Sequence, residues 1–256
     1  MSLLKTIRLY ELDQVLRLFP PACKVLEIGA GAGWQARVLS ESGHAVEAID
    51  VSESLYATHR EFPVREYGGV RIPYPDHEFD VVFSSNTLEH IPRVEFFQEE
   101  IRRVLRPGGV VVHIVPTASW RLWTSLAHYV FILRMALTLL GLRNSEVDSN
   151  LIEHKRARRT IAELAFKVLI SPRHGERGSA LSELWLFSRF GWRRLVWQTG
   201  WDIEYEEPLR LFYTGYLILG SHLGLPMRNR LSRVLGSSTR LYVLRCAKRK
   251  RAGDGT

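Results

Sequence analysis

The sequence has few cysteines and no uninterrupted apolar segment of membrane-spanning length. Only Cys23 and Cys246 are present among 256 residues, which excludes a disulfide framework and a cysteine-rich zinc site. The longest apolar run, residues 123–142, carries His128 and Arg134 near its middle. A central arginine costs about 2.5–3.5 kcal/mol on insertion into a bilayer, and charged residues interrupt every apolar run before Pro20. We therefore expect neither a transmembrane span nor a signal peptide.

The excess of basic charge lies at one end of the chain. The formal net charge is +8, but residues 227–256 hold nine bases and one acid, and the remaining residues carry 26 of each. The body is therefore neutral, and the charge indicates a local basic patch that includes a tail at 248–256. A composition that is 46% hydrophobic provides the material for one large folded domain.

Short apolar segments alternate with helical patterns along most of the chain. The patterns predict strands over 24–28, 45–49, 81–83, 110–115, 201–206 and 239–245, and helices over 7–19, 35–42, 94–105 and 182–199. This alternation is typical of an α/β fold with a doubly wound parallel sheet.

A glycine-rich turn follows the first predicted strand. Gly29, Gly31 and Gly33 allow backbone N–H groups to approach a ligand, and the next helix offers its positive N-terminus. Asp50 ends the following strand, where a carboxylate can accept hydrogen bonds from both hydroxyls of an adenosine ribose. A dinucleotide fingerprint requires a glycine at the sixth position, which is Trp34 here. The spacing therefore disfavours a dinucleotide.

Several motifs resemble those of one enzyme family. The glycine turn, with Glu27 just ahead of it, resembles motif I of the class I S-adenosylmethionine-dependent methyltransferases. Residues 79–91 (FDVVFSSNTLEHI) resemble the fourth-strand motif of this family, and residues 105–112 (LRPGGVVV) resemble its fifth-strand motif. With Asp50, these motifs occur in the family order over about residues 20–117, and together they are similar to the type-11 methyltransferase group.

The resemblance implies a single methyltransferase domain over residues 1–256. Its fold would be a Rossmann-like doubly wound sheet of about seven strands, with the last strand antiparallel and with helical lid insertions. The core would cover about 20–117, 178–207 and 238–248. The insertions would cover about 118–177 and 208–237, and both follow the carboxyl end of a strand, which places them over the glycine turn.

The resemblance also implies S-adenosylmethionine as the cofactor. Asp50 would hold the ribose hydroxyls, Val51 would lie against the adenine, and Ser85 with Asn86 would approach the amino-acid group. Gly68 stands where the family often has an acid near the adenine amino group, so Glu66 or a backbone contact would have to replace it. The implied cofactor-binding residues are Glu27, Gly29, Ala30, Gly31, Asp50, Val51, Ser85 and Asn86.

His174 and Glu176 are the candidate catalytic residues. They lie where the first insertion rejoins the core, and methyl transfer to a hydroxyl needs a group that takes its proton. The alternative is an ordinary solvated salt bridge in a loop. For His90, next to Glu89, we favour a structural role over that of a base. No cluster of Cys, His, Asp and Glu along the sequence predicts a metal site.

These features favour methyl transfer to a small-molecule acceptor, such as a lipid-linked acceptor or a glycan precursor. The alternatives are a nucleic-acid methyltransferase that uses the basic tail, and a cofactor-binding protein without catalysis. Against nucleic acid, the chain lacks an Asn-Pro-Pro-Tyr motif. We expect a cytoplasmic protein. Two of its segments, 120–142 and 211–225, are apolar. They could pack on one another as the core of a lid, or they could contact the anionic inner face of the cytoplasmic membrane, and the sequence favours neither alternative.

Overall fold

A computed structural model describes residues 2–139, 171–217 and 220–247. The strands are β1 (Lys24–Ile28), β2 (Ala45–Val51), β3 (Arg65–Tyr67), β4 (Phe79–Ser85), β5 (Leu105–Pro116), β6 (Trp201–Pro208) and β7 (Thr239–Cys246). The helices are α1 (Leu3–Leu16), α2 (Trp34–Glu41), α3 (Val94–Val104), α4 (Ala118–Leu139), α5 (Ser182–Leu186), α6 (Arg189–Gln198) and α7 (Leu225–Leu235).

All seven strands form one sheet in the order β3-β2-β1-β4-β5-β7-β6. The first five strands are parallel, whereas β7 runs antiparallel to both of its neighbours. This arrangement confirms the predicted Rossmann-like sheet and its antiparallel last strand. The chain moves outward from β1 to β3 and then returns to the other side of β1 with β4. The carboxyl ends of β1 and β4 therefore border the crevice where such sheets bind ligands.

The sheet is covered on both faces, which explains the nearly continuous apolar sequence of its central strands. Along β1, Leu26 and Ile28 join one buried cluster, and Val25 joins a second cluster with residues of the opposite face. Because successive side chains of a strand point to opposite faces, a five-residue strand contributes to two hydrophobic layers at once. This packing fixes the position of the turn that follows β1.

Helix α1 lies over Leu3–Leu16 and not over the predicted 7–19, and later helices differ from the prediction as well. The helix predicted over 182–199 is two helices, because Ser188 interrupts it and its hydroxyl accepts a hydrogen bond from the N–H of Gly191, which caps α6. The helix predicted over 94–105 ends at Val104, and β5 already begins at Leu105. Pairing of Leu105 with Phe79 of β4 explains the earlier end.

Helix α4 opens the first insertion directly after β5. Trp120, Arg121 and Thr124 are buried on one face. The other face carries exposed apolar side chains at helical spacing, which we call the α4 stripe: Leu122, Leu126, Tyr129, Val130 and Leu133. Within the described ranges, no helix is long and apolar enough to cross a membrane. His154 and the rest of residues 140–170 lie outside the described residues.

Candidate functional site

A cavity of about 850 Å³ opens at the carboxyl ends of β1, β2 and β4. Small-molecule and cofactor sites typically measure about 300–1,000 Å³. Its walls come from the glycine turn, from the ends of β2 and β4, and from segments of both insertions. The predicted lids therefore do border the same edge as the glycine turn.

The glycine turn directly after β1 is tightest at Gly29, where a side chain would not fit. Gly29 has φ +72°, and a Cβ at this position would lie 2.3 Å from Oγ1 of Thr87. The N–H groups of Gly29 and Ala30 both donate to the carbonyl of Ile49, at 2.9 and 3.1 Å. The turn is thereby attached to the end of β2, where Asp50 follows.

Asp50 is a buried carboxylate on the cavity wall. Its Oδ2 accepts a hydrogen bond from the N–H of Gly31 at 2.9 Å, and its Oδ1 accepts one from the N–H of Val51 at 2.8 Å. An ionised carboxylate has about four acceptor sites, so both oxygens keep capacity for a further donor. These free acceptor sites fit the two vicinal hydroxyls of an adenosine ribose, which would donate to them.

The structure brings most of the implied cofactor residues to the cavity. Gly29, Ala30, Gly31, Asp50, Val51, Ser85 and Asn86 all line it. Glu27 differs from the expectation, since it is not among the lining residues. Only 2% of it is exposed, and burial raises the pKa of its carboxyl to about 8. The backbone N–H of Ala36 in α2 faces this carboxyl and acts against the rise of its pKa.

The acid on the cavity wall next to Val51 is Glu53. Tyr67 and Gly69 line the cavity there, whereas Glu66 does not and instead forms a salt bridge with Arg60 at 3.0 Å. Glu66 is therefore not the replacement for the acid that Gly68 lacks. A contact at this position would have to come from the backbone, from Tyr67 or from Glu53.

The opposite wall of the cavity carries His174 and Glu176, together with Trp120 and Tyr213. The rings of His174 and Trp120 meet edge to face, with centroids 4.5 Å apart. Burial lowers the pKa of His174 to about 3, and the charges of His90 and Arg121 act in the same direction. The imidazole is therefore neutral at physiological pH.

A buried ion pair holds this wall in place. Glu183 accepts hydrogen bonds from the backbone N–H groups of His174 and Gly175 at 2.8 and 2.7 Å, and its Oε2 lies 2.7 Å from Nε of Arg121. Both charged side chains are at most 1% exposed. On the other side of the loop, the N–H of Glu176 donates to the carbonyl of Glu89 at 2.9 Å. Gly175 permits this approach, because a Cβ there would lie 2.6 Å from that carbonyl oxygen.

Glu89, His90 and His174 form a compact group, which we call the Glu-His-His cluster. Oε1 of Glu89 lies 3.9 Å from Nε2 of each histidine, and one potential ligand atom from each residue lies within 4.8 Å of the others. No local pattern predicts this cluster, because His174 is far from the other two residues along the chain. The fold thus brings together three potential metal ligands, and His90 and His174 lie on the cavity wall.

Sequence reasoning missed several other residues of the cavity wall. Leu4 and Arg8 of α1 contribute, as do Tyr213, Thr214 and Leu217 of the second insertion. These positions lie outside the recognisable motifs, and only the tertiary arrangement brings them to the site. His128 of α4 is buried, with Nδ1 2.8 Å from the hydroxyl of Tyr216.

Comparison with known proteins identifies the part of the chain that carries the glycine turn. Residues 26–113 match the type-11 family described as "Methyltransferase domain". This part of the chain matches the class I S-adenosylmethionine-dependent methyltransferase domains of the type-11 group. The cofactor of this domain is S-adenosylmethionine.

Two curated relatives agree with this assignment. A sterol 24-C-methyltransferase of Gibberella zeae is 33% identical over 103 residues, which are 35% of this chain and 27% of that protein. A 2-methyl-6-phytyl-1,4-hydroquinone methyltransferase of Synechocystis is 30% identical over 113 residues, or 41% of this chain and 34% of that protein. The matches span about a third of each relative's length.

A solved structure extends the likeness to the whole fold. The S-adenosylmethionine-dependent methyltransferase of Mesorhizobium loti superposes with a TM-score of 0.54 at 17% identity, over 92% of this chain and 97% of that chain. Identity at this level shows the fold alone.

The methyltransferase domain match ends at residue 113, before helix α4 begins. Trp120, His174 and Tyr213 all follow this point. Of the Glu-His-His cluster, Glu89 and His90 lie inside the matched range and His174 lies outside it. We call the part of the cavity lined by Asp50 and the glycine turn the cofactor side, and the part lined by Trp120, His174 and Tyr213 the acceptor side.

Proposed function

We propose that the chain transfers a methyl group from S-adenosylmethionine to a small-molecule acceptor with an apolar body. The observation that carries this proposal is the position of Asp50 and the glycine turn on one wall of a cavity whose other wall presents His174 and Glu176. The acceptor side also contains Trp120, Tyr213 and Leu217, which suit an apolar molecule better than a charged one. The finer assignment is a lipid-linked acceptor or a glycan precursor.

S-adenosylmethionine supplies an electrophilic methyl group on a positively charged sulfur. The residues of this chain align the acceptor for in-line attack, and such alignment can contribute about 7–11 kcal/mol to the rate. Asp50 holds the ribose hydroxyls, and the glycine turn lets the backbone approach the cofactor. His174 and Glu176 orient the acceptor and take its proton when the attacking atom carries one.

The first test follows the methyl group itself. Cell extract is incubated with the protein and ¹³C-methyl S-adenosylmethionine, and mass spectrometry is used to find the labelled product.

We expect the variant Asp50→Ala to bind the cofactor about 5- to 150-fold more weakly, because the charged acceptor of the ribose hydroxyls is lost (about 1–3 kcal/mol). The control is Asp202→Ala, which removes an exposed carboxylate from β6 at the far edge of the sheet.

Equal cofactor affinity in Asp50→Ala and in the parent would contradict the assignment of Asp50. Cofactor binding without any labelled product would instead favour a cofactor-binding protein that does not catalyse transfer. The variant His174→Ala separates the two walls, since it should lower turnover and leave cofactor affinity almost unchanged.

The proposal includes peripheral contact with an anionic membrane. The α4 stripe offers exposed apolar side chains, with Leu133 60% exposed, and Arg230 and Arg233 of α7 are exposed as well. Insertion of apolar side chains gives binding that salt does not remove, while each base near an anionic surface contributes about 1 kcal/mol. Arg228 is excluded from this patch, because it is buried and donates to the carbonyls of Leu223, Phe212 and Gly220.

Co-sedimentation with liposomes tests the membrane contact. The full chain should pellet with anionic vesicles at low salt and partly at high salt. A variant ending at Ala247 should lose most of the vesicle binding that salt removes. The double variant Leu126→Ser/Leu133→Ser should lose the vesicle binding that persists at high salt. If the full chain does not pellet with anionic vesicles, the stripe belongs to an ordinary lid and a water-soluble acceptor is favoured.

A further inference from the structure

Glu89 is a buried carboxylate without a hydrogen-bond partner. It is 2% exposed, and neither of its oxygens has a partner in the described part of the chain. Buried polar groups are nearly always paired, because an unpaired ionised carboxylate in a protein interior is costly. Burial accordingly raises the pKa of Glu89 to about 7. A carboxylate kept in this environment requires an explanation.

Both histidines of the cluster approach this carboxylate with the same atom. Nε2 of His90 and Nε2 of His174 each lie 3.9 Å from Oε1 of Glu89, which is too far for a hydrogen bond. Ligand atoms bound at about 2.0–2.2 Å to one tetrahedral ion lie about 3.3–3.5 Å apart. The observed spacing is therefore slightly wider than a closed coordination shell, and small side-chain rotations would close it.

We propose that Glu89, His90 and His174 form a binding site for a divalent transition-metal ion on the acceptor side of the cavity. Two imidazole nitrogens and one carboxylate oxygen are the ligand set that suits Zn²⁺ and Fe²⁺, and they leave at least one coordination position open. The histidines line the cavity, so the open position faces the space beside the cofactor residues.

Surrounding contacts hold the two histidines independently of the metal. The backbone of His174 is fixed by Glu183, and its ring packs against Trp120. His90 is the last residue of a single 3₁₀ turn after β4, and its N–H donates to the carbonyl of Thr87 at 2.9 Å. Ligands held by the fold in this way reduce the entropy cost of binding the ion.

The ion has a role in methyl transfer that rests on the function proposed above. At the open position it binds an acceptor hydroxyl and makes it more acidic. The hydroxyl proton passes to the carboxylate of Glu176, which lines the same wall. The oxygen then bonds to the methyl carbon while the carbon–sulfur bond breaks, with its electron pair left on sulfur. His174 is in this case a ligand, and Glu176 is the base.

Titration of the metal-depleted full chain with Zn²⁺, and with Co²⁺ as a coloured probe, tests the site without cofactor or acceptor. We expect one saturable ion per chain, a visible Co²⁺ absorption band and a higher melting temperature with Zn²⁺. Glu89→Gln and His174→Ala should each weaken binding at least tenfold. Both leave the backbone contacts of the loop in place, and circular dichroism checks that they fold.

His59→Ala is the matched control, since it removes an exposed histidine that does not line the cavity. Unchanged Zn²⁺ affinity in the Glu89 and His174 variants, or the absence of saturable binding, overturns the metal site. A third outcome is that the parent binds Zn²⁺ saturably, the two variants lose this binding, and no acceptor is labelled. That outcome supports the metal site and contradicts only the proposed methyl transfer. Labelling that is equal with and without Zn²⁺ overturns the role of the ion.

Discussion

Replacing Glu183 by alanine should lower the free energy of unfolding by about 3–5 kcal/mol. The substitution leaves the guanidinium of Arg121 buried without its counter-charge, which is the most costly way to break an ion pair. It also removes the acceptor of the N–H groups of His174 and Gly175. Chemical denaturation followed by circular dichroism measures the change, and the acceptor side of the cavity should lose its fixed shape.

Glu204→Ala is the control for this experiment. Glu204 pairs with Arg245 on the surface, where both side chains are nearly half exposed. An exposed pair contributes about 0–1 kcal/mol, because water screens the charges. A loss in Glu183→Ala no larger than in Glu204→Ala would show that the buried pair does not hold the loop.

Replacing Gly29 by alanine should abolish cofactor binding and destabilise the fold by at least about 2 kcal/mol. A non-glycine residue at φ +72° costs about 1–3 kcal/mol. The new Cβ would also lie 2.3 Å from Oγ1 and 2.4 Å from Cγ2 of Thr87. Movement of Thr87 would break its hydrogen bond to the carbonyl of Ile28 and displace the loop after β4.

Gly68→Ala provides the comparison on the same side of the cavity. Gly68 is exposed, and a Cβ there meets no atom within 4 Å. Its free energy of unfolding should change by no more than about 0.5 kcal/mol. Thermal unfolding and calorimetric titration with S-adenosylmethionine measure both effects, and a stable Gly29→Ala variant that binds normally would contradict the geometry of the turn.

The cofactor side could be predicted from sequence because its residues follow strand ends in consecutive motifs. The glycine turn, Asp50 and Ser85 are each adjacent to an apolar strand, and parallel strands bring their carboxyl ends to one edge. Glu27 is the exception in this group. A position within a strand does not tell whether a polar side chain faces a cavity or the packed layer behind it, and here Glu27 is buried.

The acceptor side could be predicted only in part. His174 and Glu176 were proposed from their place at the end of an insertion, and they do line the cavity. Their relation to Glu89 depends on Glu183, whose buried carboxylate holds the loop. A pairing between residues so distant in sequence has no local signal, because it arises from the packing of α4 against α5. The division of residues 182–199 into two helices likewise depends on a single serine cap.

The choice of S-adenosylmethionine over a dinucleotide as the cofactor is tested by calorimetric titration of the full chain with S-adenosylmethionine and, separately, with NADH. Both ligands contain an adenosine ribose that Asp50 could hold, so the comparison depends on the spacing of the glycine turn. We expect one saturable site for S-adenosylmethionine and much weaker binding of NADH. Preferential binding of NADH, or no binding of S-adenosylmethionine, would contradict it.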